Sequence, residues 1–392
     1  MFVNLFCLPL WKSAKSLILQ SLSLVNFRNY EEASLEFSPE VNCLVGDNGA
    51  GKTTILDAIY YLSFCKSYFN AIDSQNIRYD QGFFLIQGAI LKNEETDKLH
   101  CGVKTGQKKQ FRRNDKEYGR LADHIGKYPS VILTPNDIDL IKEGSEVRRK
   151  FMDGIISQYN KPYLEKLMEY NRALSQRNNL LRYFSENRTF DEESLEIWDE
   201  KLIELGSFIY EARKAFVETF IPGFNGLHAE VAGGAEQVSL AYETQLDTKG
   251  MAELLKGART KDRQLRRTTC GVHKDDLNFL ISDHAIRRFG SQGQQKTYLI
   301  SLRLAQFEFV EKATGVKPML LLDDIFDKID DKRVAALMRL VSDHRFGQIF
   351  ITDTSGDRIP ALFREIGADL KVFNVEQGSV QLQEEVADGQ EK

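Results

Sequence analysis

The chain has 392 residues, of which 42% are hydrophobic, so it can form two or three domain-sized units with ordinary cores. Its net charge of −5 argues against a general nucleic-acid coat. The five cysteines (Cys7, Cys43, Cys65, Cys101 and Cys270) form no CxxC pair, which argues against a disulfide framework or a zinc site. No stretch approaches the roughly 18 apolar residues of a membrane span.

The N-terminal part of the chain is predicted to alternate strands and helices. Residues 1–16 are apolar but lack the basic leader of a secretory signal, and we expect them to be a disordered or dispensable extension. From residue 17 to about residue 91, the strand patterns "LILQSLSLV" and "FFLIQGAIL" flank the helical pattern "KTTILDAIYYLSF". This order is typical of an α/β fold.

A phosphate-binding loop is predicted within this region. The stretch "GDNGAGKTT", residues 46–54, matches G-x-x-x-x-G-K-[ST], follows the apolar strand "VNCLV" and precedes a helix. Backbone N–H groups of such a loop surround the β- and γ-phosphates of ATP, while Lys52 neutralises phosphate oxygens and Thr53 offers its hydroxyl to Mg²⁺. The predicted nucleotide-binding residues are Gly46, Asp47, Asn48, Gly49, Ala50, Gly51, Lys52, Thr53 and Thr54.

The middle of the chain, from about residue 148 to residue 220, is predicted to form long helices. Apolar residues recur there at spacings of three and four, and the polar link "SENRTFDEES" separates two such runs, which indicates an antiparallel helical hairpin. The first helix is predicted to bury Leu164, Leu167, Met168, Leu174 and Leu181. The second is predicted to bury Leu195, Trp198, Leu202, Leu205, Ile209, Ala212 and Phe216.

Strands and helices alternate again after about residue 274, so a helical insertion is predicted to interrupt one α/β domain. We expect residues 17–147 and 265–385 to be the two parts of that domain and residues 148–264 to be a helical arm. The acidic tail, residues 386–392, is expected to be disordered.

The apolar strand "PMLLLDD" predicts the carboxylates that a site for ATP and magnesium needs. Asp323 is predicted to hold Mg²⁺ directly or through water, and Asp324 to reach the attacking water. The alternative is a strand capped by an Asx turn. Many ATPases of this kind have Glu in the second position, and the shorter Asp displaces the base by about 1 Å, so hydrolysis is predicted to be slow.

The turn "GSQGQQKT", residues 290–297, predicts a second anion-binding site at a helix N-terminus. The phosphate loop already surrounds the phosphates of its own chain on most sides. Ser291, Gln292, Gly293 and Gln294 are therefore predicted to bind the γ-phosphate held at Lys52 of a second copy, so that dimerisation depends on ATP. The alternative is an ordinary helix cap.

Two groups of basic residues stand out against the acidic background. The first basic group comprises Lys104, Lys108, Lys109, Arg112, Arg113, Lys116 and Arg120. The second basic group comprises Lys256, Arg259, Lys261, Arg263, Arg266, Arg267 and Lys274. Such groups let an acidic protein contact phosphates without binding every polyanion. Solvated loop charge is the alternative for each of them.

The order of these motifs resembles that of ABC-type ATPase heads, which transporters, SMC proteins and DNA-repair ATPases share. Finer motifs, from about residue 22 to residue 353, resemble the RecF family of bacterial recombination and replication-repair proteins. They are "NFRNY", "GDNGAGKTTILDAIYYLS", "TPNDIDLIKEGSEVRRKFMD", "YNRALSQRNNLL", "GVHKDDL" and "SQGQQKTYLISLRLA". The resemblance implies an α/β ABC-type head, a P-loop NTPase fold formed by the N- and C-terminal segments, with an inserted helical arm.

The resemblance also implies a function. It implies a cytoplasmic protein that binds ATP and Mg²⁺, dimerises with ATP and hydrolyses it weakly, with stimulation by DNA and with Lys52 and Asp324 as catalytic residues. Such proteins act at gapped or stalled replication DNA, recognise junctions of single- and double-stranded DNA, and help RecO and RecR load RecA, which supports the SOS response. Asp330 is implied to lie in the loop that crosses the dimer. Gln75 is implied to sense the γ-phosphate, although a surface Gln is an equal alternative.

Some positions depart from the wider ABC pattern. In "ITDTS", Thr352, Asp353 and Thr354 occupy the place where transporters carry a His, which weakens a transport function and again favours slow turnover. His273, in "GVHKDDL", is open to interpretation as a metal ligand. We expect it to be structural, because no second His or Cys lies near it in the sequence.

Three other classes of protein share single features with this chain. A transporter subunit needs a membrane partner and the missing His, and a metabolic kinase lacks the second anion-binding turn. A structural SMC tether needs a far longer coiled coil. The main alternative is another SMC-like ABC ATPase that acts as a DNA tether or clamp.

Overall fold

The computed structural model describes residues 17–234, 236–325, 334, 338–340, 345–354 and 358–386. The N-terminal extension, Asp330 and the tail beyond Val386 lie outside these residues, so what is predicted for them stays a prediction. Within the described part of the chain, no helix combines the length and the apolarity that crossing a bilayer requires.

The strands and helices follow one another along the chain in two series. The strands are β1 (Leu17–Phe27), β2 (Tyr30–Glu36), β3 (Val41–Val45), β4 (Phe83–Lys92), β5 (Glu95–Lys104), β6 (Gln110–Arg113), β7 (Lys116–Glu117), β8 (Ser130–Leu133), β9 (Val238–Glu243), β10 (Asp276–Ile281), β11 (His284–Ala285), β12 (Met319–Leu322), β13 (Ile349–Asp353), β14 (Leu370–Glu376) and β15 (Ser379–Val386). The helices are α1 (Lys52–Phe64), α2 (Asp139–Lys142), α3 (Ser145–Tyr159), α4 (Lys161–Asn187), α5 (Glu192–Ala232), α6 (Met251–Leu265), α7 (Ile286–Phe289), α8 (Gln292–Thr314) and α9 (Arg358–Glu365).

The chain divides into two compact units. The first comprises residues 1–135 and 306–392, and the second comprises residues 136–305. The sequence predicts that residues 265–305 belong to the α/β domain, whereas in the structure they belong with the helices. The reason is local packing: β10 pairs with β9, and Tyr298 of α8 contacts Phe224 of α5 edge-on.

The first unit contains two six-stranded sheets, and α1 packs against strands of both. One sheet is antiparallel, in the order β2-β1-β4-β5-β6-β7. The other has the order β15-β14-β3-β13-β12-β8 and is parallel except for β15. Every residue of β3, β8, β12 and β13 is buried, which explains why these segments read as nearly continuous apolar runs rather than alternating ones.

The second unit contains the predicted pair of long helices. α4 has 27 residues, α5 has 41, and only residues 188–191 connect them. Contacts between the two helices run in opposite directions along the chain, because Lys166 pairs with Glu204 and Arg177 pairs with Asp199. The unit also holds a small sheet in the order β11-β10-β9.

Of the apolar stripe predicted for α4, Leu181 is buried and the other four residues are not. Met168 is 42% exposed, and Leu164, Leu167 and Leu174 are only partly buried. The buried face of α4 carries Leu181 together with Tyr163, Tyr170, Ala173, Arg177 and Phe184. This face is inside because the Arg177 guanidinium meets the carboxylates of Asp199 at 2.6 Å and Asp262 at 2.7 Å, an arrangement that an apolar pattern does not show. On α5, Trp198 and Ala212 are only partly buried, while the other five predicted residues are buried.

Candidate nucleotide-binding site

The phosphate loop lies at the carboxyl edge of the parallel strands in the first unit. β13 lies between β3 and β12, and all three run in the same direction. Their C-terminal ends therefore meet: β3 leads into Gly46, β12 leads into Asp323, and β13 ends at Asp353. Open α/β sheets bind ligands at this edge.

Two glycines of the loop have no substitute. Gly46 has φ 150°, and a Cβ there would lie 2.2 Å from the carbonyl oxygen of Val375. Gly51 has φ 123°, and its Cβ would lie 2.4 Å from Nδ2 of Asn29. The loop thus needs glycine both for its backbone conformation and for the close approach of its neighbours. The loop leads directly into the N-terminus of α1, where the helix dipole favours an anion.

Lys52 is directed back over its own loop. Its Nζ donates to the carbonyl oxygens of Gly46 at 2.6 Å and Asp47 at 3.0 Å, and the residue is 3% exposed. An ammonium group has three donors, and these bonds use two of them. The positive charge is therefore fixed at the loop, where it is available to phosphate oxygens.

Asp323 lies at the centre of a hydrogen-bond network. The hydroxyl of Thr53 donates to Asp323 Oδ1 at 2.8 Å, and the hydroxyl of Thr352 donates to the same oxygen at 2.9 Å. Burial raises the pKa of the Asp323 carboxyl, while its bonds to Thr53 and Thr352 oppose that change. A hydroxyl and a carboxylate placed side by side are oxygen ligands of the kind Mg²⁺ prefers, so these residues fit the predicted metal.

Asp324 faces the same site from an unusual backbone conformation. Its φ of 44° is in the left-handed region, and its N–H donates to the hydroxyl of Thr352 at 2.8 Å. That hydroxyl has one proton and lies nearer to Asp323, which leaves the Asp324 carboxylate with acceptor capacity. Asp324 lines a cavity of about 230 Å³ together with Arg28, Asn29, Gly49, Gly51, Lys52, Thr53 and Thr54.

Asn29 and Tyr30, at the turn from β1 to β2, support the phosphate loop through hydrogen bonds, and the sequence alone predicts no site role for them. Asn29 donates to the carbonyl oxygen of Ala50 at 3.1 Å and accepts the hydroxyl of Thr54 at 2.9 Å. Tyr30 donates to the carbonyl oxygen of Gly51 at 3.2 Å. The motif "NFRNY" is the signal, but only the fold reveals that this turn contacts the loop.

Arg28 brings a second positive charge to the wall of the cavity. Its guanidinium pairs with Asp57 at 2.6 Å and donates to Asn76 at 3.0 Å. Burial raises the pKa of Asp57, and the Arg28 charge opposes this effect. Arg28 is thus held in a fixed position beside the loop.

The second predicted anion site lies in the second unit. The Ser291 hydroxyl accepts the N–H of Gln294 at 3.2 Å, and the Gln294 side chain accepts the N–H of Ser291 at 2.7 Å. This reciprocal pair is a capping box at the start of α8. Gln294 also donates to Glu236 at 3.0 Å, and Ser291 and Gln292 are exposed. The turn is therefore a helix cap, and it also presents its outer surface to solvent, so its role toward a second copy stays a prediction.

Two further predicted residues have clear positions. Gln75 is exposed in a short 3₁₀ turn and is not among the residues that line the cavity. His273 uses both ring nitrogens, which lie 2.9 Å from the Tyr170 hydroxyl and 3.2 Å from the carbonyl oxygen of Thr268. This agrees with a structural role. Among the described residues, no three His, Cys, Asp or Glu side chains come together as a metal site.

The parallel sheet, with its phosphate loop and paired aspartates at one edge, defines the class as an ABC-type ATPase head. The family model "RecF/RecN/SMC N terminal domain" matches residues 18–379. The Smc head domain of Pyrococcus furiosus has a similar structure, with a TM-score of 0.54 and 16% identity over 94% of this chain and 96% of that one. At this identity the likeness shows the fold alone.

Closer relatives identify the particular family. The DNA replication and repair protein RecF of Flavobacterium johnsoniae is 50% identical over 357 residues, 91% of this chain and 99% of that protein. RecF of Phocaeicola vulgatus is 49% identical over 95% of this chain and all of that protein. A solved structure of the recombination mediator protein RecF-ATP of the RecFOR pathway has a TM-score of 0.87 and 30% identity, covering 95% and 99% of the two chains. The chain belongs to the RecF family, as its motifs predicted.

Proposed function

We propose that this chain is an ATP-dependent DNA-binding protein of recombinational repair and replication. It forms a homodimer when ATP is bound, hydrolyses ATP slowly in the cytoplasm with stimulation by DNA, and binds single- and double-stranded DNA at gaps and junctions. It acts with RecO- and RecR-type mediators to load RecA, and so supports the SOS response. The relatives named RecF and the RecF-ATP structure support these assignments.

The observation that carries the proposal is the network joining Thr53, Asp323 and Thr352 at the phosphate loop. The loop amides and Lys52 bind the β- and γ-phosphates, and Thr53 and Asp323 hold Mg²⁺. The metal, when bound, supplies charge neutralisation at the phosphates. Thr352 keeps the Asp323 carboxylate in place, and Asn29 and Tyr30 keep the loop in the conformation that binds phosphate.

Asp324 is the residue that orients the attacking water. Its backbone N–H is fixed to Thr352, which sets the point from which the short side chain reaches toward the γ-phosphate. A carboxylate one methylene shorter than Glu, held by its backbone, supports slow hydrolysis, since a misplacement of about 1 Å lowers a rate by roughly a hundredfold. Slow turnover suits a protein in which bound ATP maintains an assembly.

The proposed dimerisation depends on the second predicted anion site. Ser291, Gln292, Gly293 and Gln294 lie at the exposed N-terminus of the 23-residue helix α8. We assign them to the γ-phosphate bound at Lys52 of a second copy. The helix dipole favours that phosphate. DNA then binds to the dimer, which makes DNA affinity depend on ATP.

The test is the solution mass of the wild type and Lys52→Met, each with and without ATP and Mg²⁺, and again with a gapped duplex. We expect a dimer only for the wild type with ATP, and DNA on that dimer. Lys201→Met, which removes an exposed lysine of α5, is the matched control and should behave as the wild type does. A monomer under every condition would rule out the ATP-gated dimer.

The alternative of an SMC-like tether has less support. α4 is 27 residues long, which corresponds to about 40 Å. An arm of this length fits a local clamp, whereas a tether between distant DNA segments needs a longer coiled coil.

A further inference from the structure

The basic residues of the two groups fall into two kinds. Some have an acidic or aromatic partner within the fold, and others are exposed to solvent and form no ion pair with a carboxylate in the part of the chain that the structure describes. In the first basic group, Lys109 pairs with Asp73 and Arg113 with Asp97. In the second basic group, Arg259 pairs with Glu196 at 2.9 Å, and Arg263 lies over the ring of Phe190 at 3.9 Å. The charge of each of these side chains is already paired with a carboxylate or placed over an aromatic ring, which makes them poor candidates for binding an anion.

Arg267 and Lys274 lie on one closed turn of the second unit. α6 ends at Leu265, and the N–H of Arg267 donates back to the carbonyl oxygen of Asp262 at 3.1 Å. His273 bonds to the carbonyl oxygen of Thr268 at 3.2 Å, which closes the turn between the two cations. Both Arg267 and Lys274 are exposed.

Arg149 of α3 adds a third cation to this turn. Its guanidinium donates to the carbonyl oxygen of Asp275 at 2.7 Å and to the hydroxyl of Ser145 at 2.7 Å. Asp275 directly follows Lys274, so the Arg149 guanidinium is bonded to the backbone beside that lysine. We call Arg149, Arg267 and Lys274 the basic cluster.

The carboxylates next to the basic cluster bind other guanidinium groups. Asp275 pairs with Arg213 at 2.9 Å, Asp276 with Arg148 at 2.7 Å, and Asp262 with Arg177 at 2.7 Å. Among the described residues, no carboxylate forms an ion pair with any member of the basic cluster. The cluster thus carries positive charge that no direct ion pair among the described residues neutralises.

The pKa of Lys274 reflects this excess charge. Burial lowers the pKa of Lys274, and the positive charges of Arg267 and Arg149 lower it further. A helix C-terminus attracts cations, which accounts for Arg267 after α6. It does not account for Lys274 or Arg149, since neither follows the end of that helix.

We propose that Arg149, Arg267 and Lys274 form a phosphate-binding site for the DNA backbone on the second unit. Their guanidinium and ammonium groups contact phosphate oxygens, and they therefore set affinity and position rather than base sequence. Lys274 belongs to the 3₁₀ turn of "GVHKDDL", and the residues of this motif bond to Arg213, Arg148 and Tyr170. This site rests on the proposed DNA-binding function and specifies which residues contact the DNA.

The experiment compares the wild type with the double variant Arg267→Gln/Lys274→Gln. Binding of a gapped duplex is measured by fluorescence anisotropy with ATP and Mg²⁺ at several salt concentrations. We expect the variant to bind about 10- to 100-fold more weakly and its log–log salt slope to be smaller by about 2, because each lost phosphate contact removes about 0.9. Arg149 is left unchanged because its guanidinium also bonds to the fold.

The matched control is Lys256→Gln/Lys261→Gln, which removes the same charge from exposed positions of α6. It should keep at least a third of the wild-type affinity and nearly the full salt slope. Both variants should dimerise with ATP as the wild type does. Equal losses in the two variants, or no loss in Arg267→Gln/Lys274→Gln, would overturn the site. A wild type that binds DNA equally with and without ATP would instead overturn the proposed function.

Discussion

The environment of His273 restricts the protonation of its ring. Burial lowers its pKa to about 4, and the nearby charges of Lys274 and Arg149 act in the same direction, while the bond to Thr268 opposes them. The folded chain therefore keeps the ring neutral, and both nitrogens take part in the hydrogen bonds that close the turn below the basic cluster.

We expect folding stability to fall as the pH drops from about 6.5, the ordinary histidine pKa, to about 4. In this interval the unfolded chain binds a proton on His273 that the folded chain does not bind, so acid favours unfolding. Between pH 7.5 and pH 5 the contribution of this ring should decrease by about 2 kcal/mol. Urea unfolding of the wild type and of His273→Gln at both pH values measures this contribution to the free energy of unfolding. His284→Gln, at an exposed position, serves as control and should keep the wild-type pH dependence. Equal pH dependence in the wild type and His273→Gln would contradict the expectation.

At the residue scale, single positions are predictable where one motif determines their chemistry. The phosphate loop specifies Lys52 and Thr53, and the apolar strand before Asp323 specifies its edge of the sheet. The sequence marks the position of Thr352, but not its bond to Asp323. That contact joins residues 29 positions apart, and only the parallel pairing of β12 and β13 brings them together.

At the scale of elements, the N-terminus of α8 depends on a residue from another element. Glu236, just before β9, accepts a hydrogen bond from the Gln294 side chain at 3.0 Å. That bond orients the amide so that its oxygen accepts the N–H of Ser291. Glu236 is therefore a positioning residue for the predicted second anion site, and it touches no phosphate itself.

We expect Glu236→Ala to weaken the ATP-dependent dimer by about 10- to 100-fold, the effect of losing one hydrogen bond to a charged group. Nucleotide affinity of the monomer should stay unchanged, because the phosphate loop belongs to the first unit. Sedimentation with ATP and titration with a fluorescent ATP analogue measure the two quantities. Glu243→Ala, at the exposed end of β9, is the control. If Glu236→Ala dimerises as tightly as Glu243→Ala, the turn needs no support from Glu236.

The helical hairpin illustrates what a sequence pattern can and cannot predict for an element. The spacing of apolar residues predicts both helices and their pairing, because any helix that packs on another repeats at three and four residues. It fails for the face of α4, since Arg177 is fully buried between Asp199 and Asp262. A hydrophobic pattern treats an arginine as an exposed polar residue, even where its guanidinium is buried between two carboxylates. One of these carboxylates belongs to Asp262, which lies 85 residues from Arg177 in the sequence.

At the scale of the whole molecule, the proposed ATP-binding parts belong to different units. Lys52, Thr53, Asp323 and Asp324 lie in the first unit, and Ser291 with its helix N-terminus lies in the second. The sequence predicts both sets of residues but puts the start of the second α/β segment at residue 265, whereas the second unit continues to residue 305. Pairing between β9 and β10 determines that boundary, and strand pairing between distant segments is not encoded in local pattern.

The sharing of one ATP site between two copies makes a prediction that no single variant can test. Lys52→Met removes the phosphate loop's cation, and Ser291→Arg blocks the outer face of the helix cap. If Lys52 of one copy acts with Ser291 of the other, a mixed dimer of the two variants contains one intact site and one doubly damaged site. If both residues act within one chain, every site in the mixture is damaged.

We therefore expect each variant alone to lose ATP-dependent dimerisation and hydrolysis, and an equimolar mixture to recover both. Up to about half of the wild-type hydrolysis should return, since only mixed dimers can form and each mixed dimer has one intact site of two. Steady-state hydrolysis and solution mass across mixing ratios measure the recovery, which should peak at equal amounts. A mixture of Lys52→Met with Asp324→Asn is the control: both changes lie in one unit, so the intact loop and the intact carboxylate belong to different sites and no activity returns. Activity that stays absent from the first mixture at every ratio, while wild-type subunits exchange freely, would show that the two anion sites do not act across a dimer.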